Sequence, residues 1–224
     1  MSELLTEAQL EALRQIDTPT IANAIEPFNI RSNTDGFMGY DIRCIYPEMG
    51  VMVGYAVTAT LDTTTHGRMQ NRENMYQFFE AIRDTANPAV VVLKDMSSKP
   101  GHGCHWGDGL TTVAMKLGAI GLVSDGGIRD VDTVREMGFQ YYAPGMVPAH
   151  GNFGFLESQL PVRVSDVLVN PGDIIHADAN GVVCIPISAV DDIIAESHRV
   201  IDREKTYRDW VNSDDFSVDK LRQG

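Results

Sequence analysis

With 224 residues, 43% of them hydrophobic and 22% charged, the chain has the makeup of one large globular domain or two small ones. Its formal net charge of −13 argues against nucleic acid as a partner, since that role calls for a basic surface. The longest apolar runs, PAVVVL and GAIGLV, have the length of strands and fall far short of a membrane span.

The opening MSELLTEAQLEALRQ is polar and helix-patterned, without a charged-then-apolar signal layout, so the expected location is the cytoplasm. Thr6 followed by Gln9 is a capping-box pattern, and Leu10, Leu13 and Ile16 form a helical apolar stripe. A second helix is expected in DTPTIANAIE, with Pro19 as its first helical residue and Ile21, Ala24 and Ile25 on one face. MVGYAVTATLD alternates and is rich in Val and Thr, which predicts a strand. NRENMYQFFEAIRDTA then sets Met75, Phe78, Phe79 and Ile82 at helical spacing.

From PAVVVLKDM onward the pattern becomes strand, helix, strand, helix, strand: LTTVAMKLG, AIGLVSDGG, DVDTVREMG and FQYYAPGMV. This is the rhythm of parallel βαβ units. PVRVSDVLVNPGDIIHADANGVVCIPI reads as short strands joined by turns, with Asn180-Gly181 as a hairpin signal. A long helix over about 188–211 closes the chain. With no linker, low-complexity tract or repeat, residues 1–224 are expected to form a single α/β domain. Three widely spaced cysteines, Cys44, Cys104 and Cys184, do not make a disulfide framework.

Two βα corners carry the chemistry. One is HWGDGL, and the other is SDGGIRD, in which Asp125, Arg129 and Asp130 crowd around two glycines. Ligands of open α/β sheets bind outside the carboxyl ends of parallel strands. If the two strands are neighbours, Asp108, Arg129 and Asp130 converge on one rim. Converging carboxylates repel unless a cation joins them, and oxygen donors suit a hard ion such as Mg²⁺. The helix opening at Gly109, Leu110 and Thr111 offers backbone N–H groups to an anion, and Arg129 can hold a carboxylate or enolate oxygen. The alternative is plain helix capping by either aspartate. GHGCHWG, with His102, Cys104 and His105, lacks the separated ligand pairs of a structural zinc site. His150 and His176 read as isolated loop or strand residues.

On the last helix, Val190, Ile193, Ile194, Ser197, Val200 and Ile201 form an apolar stripe that continues to Glu204, Tyr207 and Arg208. Glu204 there is either in an intrachain ion pair or contributes to a neighbouring subunit's site.

The stretch WGDGLTTVAMKLGAIGLVSDGGIRDVDTVREMGFQYYAPGMVP resembles the core of the 4-hydroxy-4-methyl-2-oxoglutarate aldolases, a superfamily that includes the regulator of ribonuclease activity A (RraA). VNPGDIIHADANGVVCIP resembles its second hallmark, and DTPTIANAI its N-terminal helix start. The resemblance implies a layered α/β/α-type domain like the swivelling phosphohistidine domain, assembled as homotrimers or homohexamers with sites between subunits. It implies Mg²⁺ or Mn²⁺, with Asp130 as direct metal ligand and Asp108 holding a metal-bound water. Arg129 would bind the 2-keto acid and stabilise charge on oxygen. Gly109, Leu110 and Thr111 would bind the pyruvoyl carboxylate. Glu204 would act from a neighbouring chain.

The implied reaction is class II aldol cleavage of a 4-hydroxy-2-keto dicarboxylic acid to pyruvate through an enolate, with oxaloacetate decarboxylation as a side activity. A water or hydroxide held by Asp108 would be the base. Asn23, AHGNFGFLESQ, VSDV and RSNTDGFMGYDIRCIYPEMG depart from the family pattern and bear on the far end of the substrate. The alternatives are a non-catalytic regulator that binds a protein partner, and a lyase or decarboxylase for another small keto acid.

Overall fold

The computed structural model describes residues 4–67 and 71–222. The first helix, α1 (Glu7–Arg14), starts with the expected box: Gln9 N donates to Thr6 Oγ1 (3.2 Å) and Thr6 N donates to Gln9 Oε1 (2.8 Å). In α2 (Thr18–Ile25) the cap is Asp17, which accepts from Thr20 N at 2.7 Å. Pro19 is therefore the second helical residue rather than the first, a position where its missing N–H is equally harmless.

The sheet is built on four parallel strands in chain order: β2 (Met52–Asp62), β3 (Ala89–Asp95), β5 (Ala119–Ser124) and β7 (Gln140–Ala143). The crossovers are α3 (Arg72–Asp84), α4 (Asp108–Lys116) and α5 (Val131–Met137). Antiparallel strands complete it: β1 (Arg43–Cys44) beyond β7, and β11 (Ile174–Asp178) with β12 (Gly181–Ile185) beyond β2. One edge of β2 serves two partners. Its start pairs with β11, and its end pairs with β8 (Gly154–Ser158).

The class is mixed α/β with a parallel core and a long C-terminal helix, α6 (Val190–Val211). Within it, side-chain parity assigns the helices to one face. Val57, Ala59 and Leu61 pack with the crossover-helix residues Phe78, Ile82, Ala114 and Val134. Val53 and Tyr55, of the same parity, pack with the α1, α2 and α6 residues Leu13, Ile21 and Ile193. The layer over the opposite face is not helical. It is a hairpin of β9 (Val162–Val164) and β10 (Val167–Val169), joined by Met38 and Ile42. Both faces of β2 are thus covered, and all eleven of its residues are buried despite the alternating sequence.

The β11–β12 hairpin forms where Asn180-Gly181 signalled it, but Asp178 pairs with Gly181, so Ala179 and Asn180 make the turn. Gly181 has φ 137°, in the region that favours glycine. Among the described residues, no helix is long and apolar enough to cross a membrane.

His176, on β11, is fully buried with both ring nitrogens engaged. Nε2 lies 3.0 Å from Leu13 O and must donate to it. Nδ1 lies 3.0 Å from Thr18 Oγ1 and accepts from that hydroxyl. Burial favours the neutral ring and pulls its pKa below the ordinary histidine value. The unfolded chain takes up a proton that the folded chain refuses. The stability this group supports is complete above pH about 6.5 and is lost as pH falls below it, with a limiting slope of about 1.4 kcal/mol per pH unit. Urea midpoints measured from pH 7 down to pH 5 should fall, and His176→Gln should flatten that slope. Equal slopes would show that His176 does not govern it.

Candidate active site

The strands preceding the two corners are neighbours: β3 and β5 pair in parallel. Beyond their ends a small parallel ribbon joins β4 (Cys104–Trp106) to β6 (Gly127–Ile128), and Arg129 N donates to Trp106 O at 2.9 Å. This ribbon brings Asp108, Arg129 and Asp130 together. Asp130 Oδ2 accepts from Asp108 N at 3.2 Å and lies 3.3 Å from Arg129 Nε.

Neither aspartate caps the helix it begins. The cap of α4 is Gly107, and Asp108 is the first helical residue. Asp130 stands at the cap position of α5, yet its side chain makes no cap hydrogen bond there. Its backbone is left-handed, with φ 57° and ψ 35°, a region that aspartate and asparagine enter more readily than other residues with a Cβ. Its carboxylate turns away from its own helix to accept from the first amide of α4, beside the Arg129 guanidinium.

Gly107 makes this approach possible. A Cβ at that position would lie 2.3 Å from Asp130 Oδ2 and 3.1 Å from the Arg129 side chain. Gly107→Ala should therefore displace both groups while leaving the exposed corner folded. If the site is catalytic, turnover should drop about a hundredfold, the cost of an ångström-scale misplacement. Steady-state rates beside a thermal melt would check it, and undiminished turnover would remove Asp130 and Arg129 from the machinery.

The two carboxylates supply oxygen donors, and Asp108 is solvent-exposed. Among the described residues there is no group of three or more His, Cys, Asp and Glu side chains placed to hold a metal ion. A two-carboxylate set that leaves the remaining positions to water fits Mg²⁺, which takes one or two carboxylates and dehydrates reluctantly.

Beside these groups lies a cleft of about 280 Å³, whose lining includes Asp108, Gly109, Leu110 and Arg129. The amides of Gly109 and Leu110 have no acceptor among the described residues. The amide of Thr111 differs from expectation. It donates to Gly107 O at 3.1 Å as the first closed turn of α4, so two N–H groups face the opening rather than three. Thr111 contributes through its side chain instead, which is buried and accepts from Trp106 Nε1 at 2.8 Å.

The remaining charges of the corner are engaged with one another and with the backbone. Asp125 pairs with Lys94 and accepts from Asp95 N, apart from the Asp108 cleft. Asp95 is buried and accepts from Ser97 N (2.8 Å) and Gly101 N (2.7 Å). Burial alone would raise its pKa, but the His105 contact and these hydrogen bonds outweigh that and hold it below the usual carboxylate range. The buried His105 ring places Nδ1 3.0 Å from Ser124 Oγ, and its Nε2 lies 3.4 Å from Asp95 Oδ1 without hydrogen-bond alignment. Cys104 donates to Trp106 O, and burial pushes its thiol up to about 11. Glu204 does not line this cleft. It is half-exposed on α6 and bonds Arg208 (3.2 Å) and Asn23 (3.5 Å).

Sequence reasoning passed over Gly107 and Trp106, and it set His150 aside as isolated although it lines the cleft. The signal for Gly107 was its place between a buried aromatic and an acid at a strand's end. His150 offered no signal, because it is distant in sequence from both corners.

A family model described as RraA-like, Aldolase/RraA, matches residues 11–184. Protein DlpA of Legionella pneumophila is 34% identical over 91 residues, covering 40% of this chain and 15% of that protein. A Halalkalibacterium halodurans protein named "Putative 4-hydroxy-4-methyl-2-oxoglutarate aldolase" is 30% identical over 94 residues, 42% of this chain and 45% of its own. The chain spans about half or less of the length of the curated relatives it matches. Among solved structures, Streptomyces coelicolor RraAS2, described as an unusual member of the RNase ES inhibitor RraA protein family, superposes with a TM-score of 0.74 at 22% identity. That match covers 93% of this chain and 99% of RraAS2, and it establishes the fold.

Proposed function

The chain belongs to the RraA-like family, Aldolase/RraA, and from that premise we propose that it is a divalent-metal-dependent carbon–carbon lyase that releases pyruvate from a 4-hydroxy-2-keto acid. The observation that carries this reading is the left-handed Asp130, whose carboxylate is turned from its own helix to the Asp108 backbone amide and the Arg129 guanidinium. The aldolase name of the H. halodurans relative points the same way.

Asp130 would hold the ion directly and Asp108 would hold it through a water. When bound, Mg²⁺ or Mn²⁺ supplies Lewis-acid stabilisation of negative charge on the keto and carboxylate oxygens. The free amides of Gly109 and Leu110, at the positive end of α4, receive the substrate carboxylate. Arg129 supplies guanidinium donors to the oxygen on which charge develops. Oxaloacetate reaches the same pyruvate enolate by losing CO₂, so its decarboxylation accompanies the aldol activity. Glu204 serves a neighbouring subunit's site in a homotrimer or homohexamer, a role in keeping with its position outside the cleft of its own chain.

The test is pyruvate release from 4-hydroxy-4-methyl-2-oxoglutarate and from oxaloacetate, each with Mg²⁺, Mn²⁺ or EDTA. Metal-dependent release from the hydroxy acid is the expected result. Release from oxaloacetate alone would remove the named aldol substrate. No release from either would favour the second reading, a non-catalytic regulator. That reading draws on the fold shared with RraAS2 of the RNase ES inhibitor family, and capture of a ribonuclease partner would then be sought.

A further inference from the structure

His150 has no role in the assignments above, yet it lines the same cleft as Asp108, Gly109 and Arg129. Its loop is pinned on both sides. Cys104 N donates to Ala149 O at 2.8 Å, Asn152 N to Thr63 O at 2.8 Å, and Asn152 Nδ2 to Thr64 O at 3.0 Å. Gly151, at φ 57°, sits so close to Thr63 O that a Cβ would come within 2.4 Å of it. These contacts fix the backbone on both sides of the exposed His150.

The ring's chemistry follows from one contact: His150 Nδ1 lies 2.9 Å from Gly151 O. A carbonyl only accepts, so Nδ1 carries a proton, and in the neutral tautomer this fixes, Nε2 is the lone pair. Nε2 has no partner among the described residues. Phe153 meets the ring edge-on at 6.4 Å and adds an apolar wall to the cleft. A lone-pair acceptor beside an apolar wall complements a hydroxyl on the substrate. In the retro-aldol reaction that hydroxyl must give up its proton.

We infer that His150 is the general base of the aldol cleavage, accepting the C4-hydroxyl proton at Nε2; this rests on the aldolase reading above. In the step, the O–H bond breaks and its proton goes to Nε2. The O–H electron pair becomes the second bond of the C4 carbonyl. The C3–C4 bond breaks, and its pair moves into C2–C3 as the keto oxygen takes the negative charge. The imidazolium then returns the proton to C3, giving pyruvate and neutral His150. Asp108 is left to its water.

His150→Asn keeps an acceptor at this position but cannot take a proton. Decarboxylation of oxaloacetate forms the same enolate without removing a hydroxyl proton. The quantity to measure is therefore the ratio of kcat/KM for 4-hydroxy-4-methyl-2-oxoglutarate cleavage to that for oxaloacetate decarboxylation. Loss of a general base should lower this ratio by about a hundredfold or more. Added imidazole should restore cleavage to His150→Gly, and a thermal melt would confirm that both variants fold. A ratio within about threefold of wild type, with no imidazole rescue, would overturn the assignment and leave the aldolase reading standing. A wild-type protein that decarboxylates oxaloacetate but cleaves no hydroxy acid would overturn both.

Discussion

Asp130→Ala should lower metal-dependent pyruvate release by about a thousandfold, and Asp130→Asn by nearly as much. A metal ion supplies several kcal/mol of stabilisation to developing charge, and each 1.4 kcal/mol is a factor of ten in rate. The two variants part company in stability. Asp130 has φ 57°, which asparagine tolerates and alanine does not. Asp130→Asn should therefore melt close to wild type while failing to bind Mn²⁺ in a calorimetric titration, whereas Asp130→Ala should lose stability as well. Arg129→Lys should not substitute for arginine, because a point charge cannot reproduce its forked donors. An active Asp130→Asn protein would dismiss the carboxylate as a ligand.

Trp106→Ala should cost about 3–5 kcal/mol of folding stability, the range for deleting a buried aromatic. Trp106 is fully buried, stacked 6.2 Å from Phe139 and set edge-on to Phe78 at 6.1 Å. It also joins the core to the cleft, since its carbonyl receives Arg129 N and its indole N–H donates to Thr111 Oγ1. The loss is a large share of the 5–15 kcal/mol typical of a domain. Trp106→Phe keeps most of the ring and removes one hydrogen bond, so about 1 kcal/mol should be lost. Urea unfolding of the two variants would measure the difference. A small loss in Trp106→Ala would mean that the surrounding rings collapse into the gap.

Local signals in the sequence carried most of the fold. The Thr6/Gln9 box, the parallel rhythm from Ala89 to Ala143 and the β11–β12 hairpin depend on residues close together in the chain, and all three are present. The hairpin turn shifted by one residue because Asp178 accepts from Asn180 N at 2.7 Å, closing the turn before the glycine. The two-sided burial of β2 was hidden, since its cover on one face comes from β9 and β10, a hundred residues later in the chain, on the order of a whole domain's loop closure. At the site, the meeting of Asp108, Arg129 and Asp130 followed from the order of strands. The direction of the Asp130 carboxylate did not, because it depends on one backbone angle and on a missing Cβ at Gly107. His150 reaches the cleft through tertiary hydrogen bonds with no sequence periodicity.

The divided edge of β2 bears on synthesis. A ribosome emits the chain from its N-terminus, so β2 leaves the exit tunnel well before β8 or β11 can reach it. Until those later segments arrive, β2 presents a long row of unpaired amides and carbonyls, a template for strands of other nascent chains. Release of a chain stopped between residues 145 and 150 should give aggregates rather than a soluble half-protein. Translation pauses before residue 174 should likewise lengthen the nascent chain's dependence on chaperones.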